Sequence, residues 1–171
     1  MKTVYRSYCT LSLVLALLAS TVCGVASAAD YLVTFEGSGE TKTAYASGDV
    51  TLSGISWNMT EALIGTDASD YKIGARSARL RGYTASAMTM LADKTGGIGT
   101  LSFYHCRYGT DAQVPWRVQY STDAGQSWTQ VGSDFTPGAS AVLFSQVVNV
   151  SGDARIRIVA VNSGTANKRA N

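Results

Sequence analysis

The sequence is poor in residues that could cross-link, ligate or strongly charge it. Among 171 residues there are three cysteines, two prolines and one histidine, and charged residues make up only 15%. Two of the cysteines, Cys9 and Cys23, fall in a segment that reads as an export leader. Lys2 and Arg6 come first, then an apolar run from Leu11 to Val22, then Ala26-Ser27-Ala28. A basic start, an apolar centre and small residues at a cleavage point are the pattern of a signal peptide over residues 1–29, and the apolar run is too short to span a bilayer comfortably. Cleavage after Ala28 or Ala29 leaves Cys106 alone, which excludes an intramolecular disulfide, so the fold must be held by its core. Two of the 14 basic residues leave with the leader, so twelve remain against 12 acids and residues 30–171 are formally neutral. Without a basic block there is little electrostatic reason to bind nucleic acid. No second apolar stretch is long enough for a membrane span. The expected product is a secreted or periplasmic domain of ordinary single-domain size, free of the membrane once the leader is gone.

The single histidine restricts catalysis. A Ser-His-Asp or Cys-His arrangement would have to use His105, yet its neighbour Cys106 points to the opposite face of any strand they share. One His and one Cys also fall short of the four ligands of a zinc site. The chain has no glycine-rich phosphate cradle, metalloprotease helix or nucleophile elbow. Asp67, Asp70, Asp93, Asp111, Asp123 and Asp153 stand in turn-like contexts, where carboxylates cap backbone amides. Residues 30–171 therefore read as non-catalytic. A glycosidase working through two paired acids is the enzyme reading that sequence leaves open.

What the sequence has in abundance is strand. Short β-branched and aromatic runs alternate with Gly, Ser and Thr, and there is no convincing helix. Strands are expected at Tyr31–Phe35, Val50–Trp57, Ser77–Arg81, Ala87–Leu91, Gly99–Arg107, Trp116–Ser121, Trp128–Val131, Leu143–Val150 and Ala154–Val161. Arg155-Ile156-Arg157-Ile158 alternates as a half-buried strand does, while the continuous run Val147-Val148-Asn149-Val150 suggests cover on both sides. Ser56–Gly65 is the one stretch where a helical turn or irregular loop is expected. Both prolines, Pro115 and Pro137, sit beside strands. The pattern predicts an all-antiparallel sandwich or barrel.

The clearest local signal is the hairpin Ser121-Thr122-Asp123-Ala124-Gly125-Gln126-Ser127-Trp128. Asp123 can accept from turn amides and Gly125 can take a positive φ. The segment resembles the Asp-box hairpin of sialidases, S-x-D-x-G-x-[ST]-W, a structural turn that recurs around a propeller. It occurs once here, so Ser121, Asp123, Gly125 and Trp128 are read as a turn stabiliser.

A broader resemblance spans most of residues 30–171. Phe35-Glu36, Gly54-Ile55-Ser56-Trp57, Tyr71 to Arg81, Gly99 to Tyr104 and the Tyr120–Trp128 hairpin follow one another in an order similar to jelly-roll accessory modules of secreted bacterial hydrolases and surface proteins. These modules share the layout of MAM and carbohydrate-binding sandwiches. The resemblance implies a jelly-roll β-sandwich that binds a glycan or surface polymer, or spaces a catalytic neighbour. The alternative is a fragment or accessory domain of a secreted nuclease or glycosidase. Such modules continue past the position of Arg169-Ala170-Asn171 into a closing strand, which implies an incomplete sheet or a loose tail from about Gly164. The resemblance also implies structural calcium shared by a carboxylate near the first strand and one on the last; Glu36 stands where the first is expected, the partner acid is absent with the closing strand, and Asp49, Asp67 or Asp70 are left to contribute. From the residues themselves, the favoured ligand contacts are Tyr83 and Tyr108, beside Gly82 and Gly109, with Arg81 and Arg107 as donors.

Overall fold

The computed structural model describes residues 30–162 and 164–171. The expected leader, residues 1–29, lies outside the described residues. Among the described residues ten strands make up the regular structure: β1 (Gly48–Leu52), β2 (Ile55–Thr60), β3 (Ala62–Gly65), β4 (Ser77–Leu80), β5 (Ala87–Met90), β6 (Ile98–His105), β7 (Trp116–Ser121), β8 (Thr129–Phe135), β9 (Val142–Val150) and β10 (Arg155–Ala160). Among the described residues no helix is long and apolar enough to cross a membrane.

Every pairing between these strands is antiparallel. One layer is a six-stranded sheet in the order β1-β2-β5-β10-β7-β8. The other consists of the ribbons β3-β4 and β6-β9, joined by the last residues of the sequence, since Ala170 bridges both Leu80 and Arg107. The chain is thus an antiparallel β-sandwich, one of the two forms the strand pattern predicts, and of the jelly-roll type the resemblance implies.

The core lies between the layers. Leu52, Met59 and Val118 are fully buried, with Trp57, Met88, Met90 and Trp116 beside them. They come from alternate positions of β1, β2, β5 and β7, and meet Ala62, Ile64, Leu80 and Ala170 from the opposite layer. A second cluster joins Val118 and Val131 to Phe144, with Leu101, Phe103, Phe135, Ile156 and Ile158 packed against it. The rings of Phe103 and Phe144 stack at 4.9 Å, and Phe103 meets Phe135 edge-on at 5.7 Å.

Several expectations need correction. Val50–Trp57 is a hairpin, not one strand, because Ser53 and Gly54 both adopt positive φ (47° and 85°) and close a tight turn between β1 and β2. Ser56–Gly65 holds no helical turn: it is the end of β2 and all of β3, divided at Glu61, whose φ is 50°. Tyr31–Phe35 alternates and packs Tyr31, Val33 and Phe35 on the core, but it joins no ladder among the described residues. Val147 is 77% exposed, so the apolar run in β9 is not covered on both sides; Asn149, at φ 53°, lies where the register of β9 against β6 shifts.

The tail is held, not loose. Ala170 exchanges two backbone hydrogen bonds with Leu80 and Asn171 exchanges two with Cys106, each 2.9 Å long. The Asn171 amide donates to Asp70 Oδ1 at 2.9 Å, and Asp70 faces Arg79 Nε at 3.4 Å. Asp70 is buried, and its carboxylate fits because β3 carries glycine beside it: a Cβ on Gly65 would collide with the Asp70 carboxylate. Cys106 is also buried, its thiol directed at the carbonyls of Gly138 and Ala139.

In the β7–β8 hairpin the Ser121 hydroxyl donates to Asp123 Oδ1 at 2.6 Å and accepts from the Gly125 amide at 2.8 Å. Asp123 also accepts from the Ser127 amide at 2.9 Å and from the Ser127 hydroxyl. The Trp128 indole N–H closes the turn on the Gly125 carbonyl at 3.0 Å. The two serine hydroxyls are the main reason the Asp123 carboxyl is held down to about 2.

Two measurements check this account. Leu52→Ala should cost about 3 kcal/mol in urea denaturation, because it removes a fully buried side chain, whereas Leu32→Ala, at an exposed position, should cost less than about 0.5 kcal/mol. Asp123→Asn should melt below the parent at neutral pH. Because the folded carboxyl titrates below its ordinary value of 3.8, its contribution is complete above that value and fades as pH falls towards about 2. The gap in melting temperature should therefore close between pH 4 and pH 2.

Candidate functional site

The outer face of the six-stranded sheet carries an ordered row of polar side chains. Residues paired across antiparallel strands share a face. The registers align Asp49 with Asn58, Asn58 with Thr89, Thr89 with Arg157, Arg157 with Gln119, and Gln119 with Gln130. The inward neighbours of this row, among them Trp57, Met59, Met88, Met90, Val118 and Val131, are buried, which places the row on the wet side. It crosses all six strands, a distance of about 24 Å at the usual strand spacing.

The row is braced within itself. Asn58 Nδ2 donates to Asp49 Oδ1 at 2.7 Å, and Arg157 Nε donates to Gln119 Oε1 at 2.8 Å. At one end Gln130 Nε2 donates to Asp134 Oδ1 at 3.0 Å, and the same carboxylate takes Arg117 through two bonds of 2.8 and 2.9 Å. This pairing holds the Asp134 carboxyl below and the Arg117 guanidinium above their ordinary ranges. The hairpin contributes the aromatic element: the Arg157 guanidinium lies 4.3 Å from the centre of the Trp128 ring. Arg157 is half-buried, and burial draws its proton affinity down. One further strand position along, Arg155 Nε donates to Asp93 Oδ1 at 2.6 Å. The face thus offers amides, a hydroxyl and guanidinium groups set on strands, with an indole from the β7–β8 hairpin beside them.

The residues favoured from sequence gather elsewhere, and only in part. Tyr108 lies between Arg79 and Arg169, with guanidinium carbons 4.6 and 4.1 Å from its ring centre. Arg81 covers Tyr45 at 3.8 Å, and Arg79 lies 6.0 Å from the same ring. Arg81, Tyr45, Arg79, Tyr108 and Arg169 form one stack, in which Glu61, Asp70 and Asp111 pair with the three arginines. These cations are largely spent on neighbouring acids. Tyr83 and Arg107 lie outside the stack: the Tyr83 carbonyl accepts from the Ser86 amide, and Arg107 Nε donates to the Gly109 carbonyl. The polar row itself was not singled out from sequence. The signal that could have found it is the alternation in Arg155–Ile158 and Trp116–Ser121, which sets Arg157 and Gln119 on the outward parity.

The residues proposed for calcium do not fit it. Glu36 Oε1 already accepts the amides of Ala75 and Arg76 at 2.9 Å each, and Oε2 faces the Arg76 guanidinium at 3.7 Å. Asp49 is engaged by Asn58, Asp67 by the Ser69 amide, and Asp70 by Arg79 and Asn171. Among the described residues no three His, Cys, Asp or Glu side chains converge as a metal site. His105 is buried, with its ring 4.4 Å from that of Phe135, and burial lowers its proton affinity.

No protein-family model and no curated protein matches this sequence. Solved structures similar to the chain include the carbohydrate-binding module TmCBM61 in complex with β-1,4-galactotriose, at 10% identity and a TM-score of 0.46, covering 67% of this chain and 81% of that one. Another is a K85A mutant of CBM29-2, a family 29 carbohydrate-binding module, at 13% identity and a TM-score of 0.46, covering 83% and 86%. A third is the enzymatically active domain of bacteriophage CBA120 tailspike protein 4, at 15% identity and a TM-score of 0.36, covering 67% of this chain and 17% of that one.

Proposed function

We propose that the protein is a secreted, non-catalytic module that holds a polysaccharide across the outer face of its six-stranded sheet. The observation that carries this reading is the row from Asp49 to Gln130, with Trp128 and Arg157 stacked at its side. Sugar hydroxyls act as both donors and acceptors, so they suit a surface that alternates amides, hydroxyl and guanidinium groups. An indole edge or face adds apolar contact with the C–H side of a pyranose ring. Fixing these groups on strands limits the ordering cost of binding. The face spans about 24 Å, which suits an extended chain of several sugar units better than a single sugar. In this reading the Tyr108 stack is a brace for the second layer, and Glu36 is a loop clamp that needs no calcium.

Affinity electrophoresis or calorimetry against a panel of neutral polysaccharides is the direct test. Gln119→Ala and Arg157→Ala should each weaken binding about tenfold or more, the loss expected when hydrogen bonds to a ligand go unmade. Their melting temperatures should stay near that of the parent. Tyr108→Ala should leave affinity unchanged. Loss with Tyr108→Ala alone would move the site to the tyrosine–arginine stack, and no binding across the panel would leave the module without this function.

A further inference from the structure

One cation on the outer face of the large sheet lacks the kind of partner its neighbours have. Arg76, Arg79, Arg81, Arg117, Arg155 and Arg169 each face an Asp or Glu oxygen, at 2.6–3.7 Å. Arg157 faces none among the described residues. Arg107 also lacks one, but it belongs to the second layer, where its Nε is taken up by the Gly109 carbonyl of its own loop.

Arg157 is fixed near the middle of the polar row. β10 lies between β5 and β7, so Thr89 and Gln119 flank it. Gln119 Oε1 accepts from its Nε at 2.8 Å, and the Trp128 ring, its centre 4.3 Å away, lies against the guanidinium. What remains is the edge formed by Nη1 and Nη2. Neither atom bonds to an acceptor among the described residues, and neither is sealed from solvent. The other outward cations nearby are already answered: Arg155 is bonded to Asp93 and Arg117 to Asp134. Asp49, bonded to Asn58, stands on β1, three strand spacings or about 14 Å from Arg157, farther than a charge acts through physiological salt.

A guanidinium drawn partly out of water loses hydration that an anion ordinarily restores. At Arg157 burial acts on the charge and no acid offsets it. A sugar hydroxyl brings a single oxygen to the Nη1–Nη2 edge. A carboxylate brings two, set for two parallel N–H bonds, and brings the missing charge as well.

We propose that the polysaccharide is an acidic one, and that Arg157 selects it by holding the carboxylate of one uronic acid unit on its Nη1–Nη2 edge. This inference rests on the polysaccharide reading and adds the chemistry of the sugar. The sugars on either side lie over Asn58 and Thr89 in one direction and over Gln119 and Gln130 in the other, where neutral hydrogen bonds suffice. A uronate carboxylate is joined directly to the sugar ring, so the same unit can bond Arg157 and stay close to Trp128. A sulfate ester stands off on a further oxygen.

The test compares galacturonan oligomers long enough to cover the row, in the acid form and as the methyl ester, which share one backbone and differ in charge. By calorimetry at low salt the acid form should bind at least tenfold more tightly than the ester, the gain expected of hydrogen bonds between charged groups. Raising salt to about 0.5 M should shrink that ratio, because the edge is open to solvent. Arg157→Lys keeps the charge without the fork and should bring the ratio within about threefold, while Arg157→Gln should abolish it. Arg117→Lys should leave the ratio unchanged. If the Arg157 variants fail to fold, the comparison of acid and ester on the unaltered protein decides alone. Equal affinity for acid and ester overturns this inference and leaves the polysaccharide reading standing. An unchanged ratio in Arg157→Gln overturns the role given to Arg157, and a sulfated galactan bound as tightly as the galacturonan overturns the choice of a carboxylate. Absence of binding to every chain, neutral or charged, removes the polysaccharide reading itself and this inference with it.

Discussion

The second layer of the sandwich depends on a few backbone hydrogen bonds made by Ala170 and its neighbours. Without them β3-β4 and β6-β9 are two separate ribbons, and an isolated two-stranded ribbon has little stability in water. With them, Leu80 and Ala170 close over Trp57, Met88 and Trp116 as one surface. The Asn171 side chain reinforces the junction by reaching Asp70, Ser77 and Ala78. Asp70, in turn, is buried beside Arg79, and an acid in that position is tolerated only while its charge is fully met. The joint is thus polar and stringent, in contrast to the broad apolar packing elsewhere.

The two faces of the large sheet divide the labour of the fold. Inward parity supplies Met59, Met90 and Val118, which hold the layers together. Outward parity supplies Asn58, Thr89, Arg157 and Gln119, which contribute little to the core and bond instead along the sheet surface. The Trp128 hairpin connects the two roles. Its turn is fixed by Ser121 and Asp123, and the indole so positioned carries Arg157.

Much of the architecture was legible in the sequence because period-two alternation is a local property. β5, β6, β7 and β10 lie within a residue or two of their expected bounds, since apolar runs and flanking turn residues mark them directly. The errors fall where backbone conformation overrides that pattern. Ser53-Gly54 hides a turn inside an apolar run, Glu61 breaks one strand from the next, and Tyr31–Phe35 alternates without a partner strand among the described residues. The polar row was not legible, because register between strands distant in sequence brings its members together. Asp49 and Gln130 each look like ordinary surface residues until the pairing is known. The Tyr108 stack was half legible: Tyr108 and Arg81 stand in sequence near strand ends, but Tyr45 and Arg169 join them only through the fold.

The junction at Ala170 also sets the order in which the molecule can assemble. The β1–β2 and β7–β8 turns close over a few residues, whereas the Asn171–Asp70 bond joins groups 101 residues apart. Closing so long a span costs much chain entropy before any contact rewards it, and pairings of this kind form slowly. The large sheet should therefore consolidate first and the seam beside Ala170 last. The same seam is then the first to open under thermal stress, leaving the six-stranded sheet with its outer row still aligned.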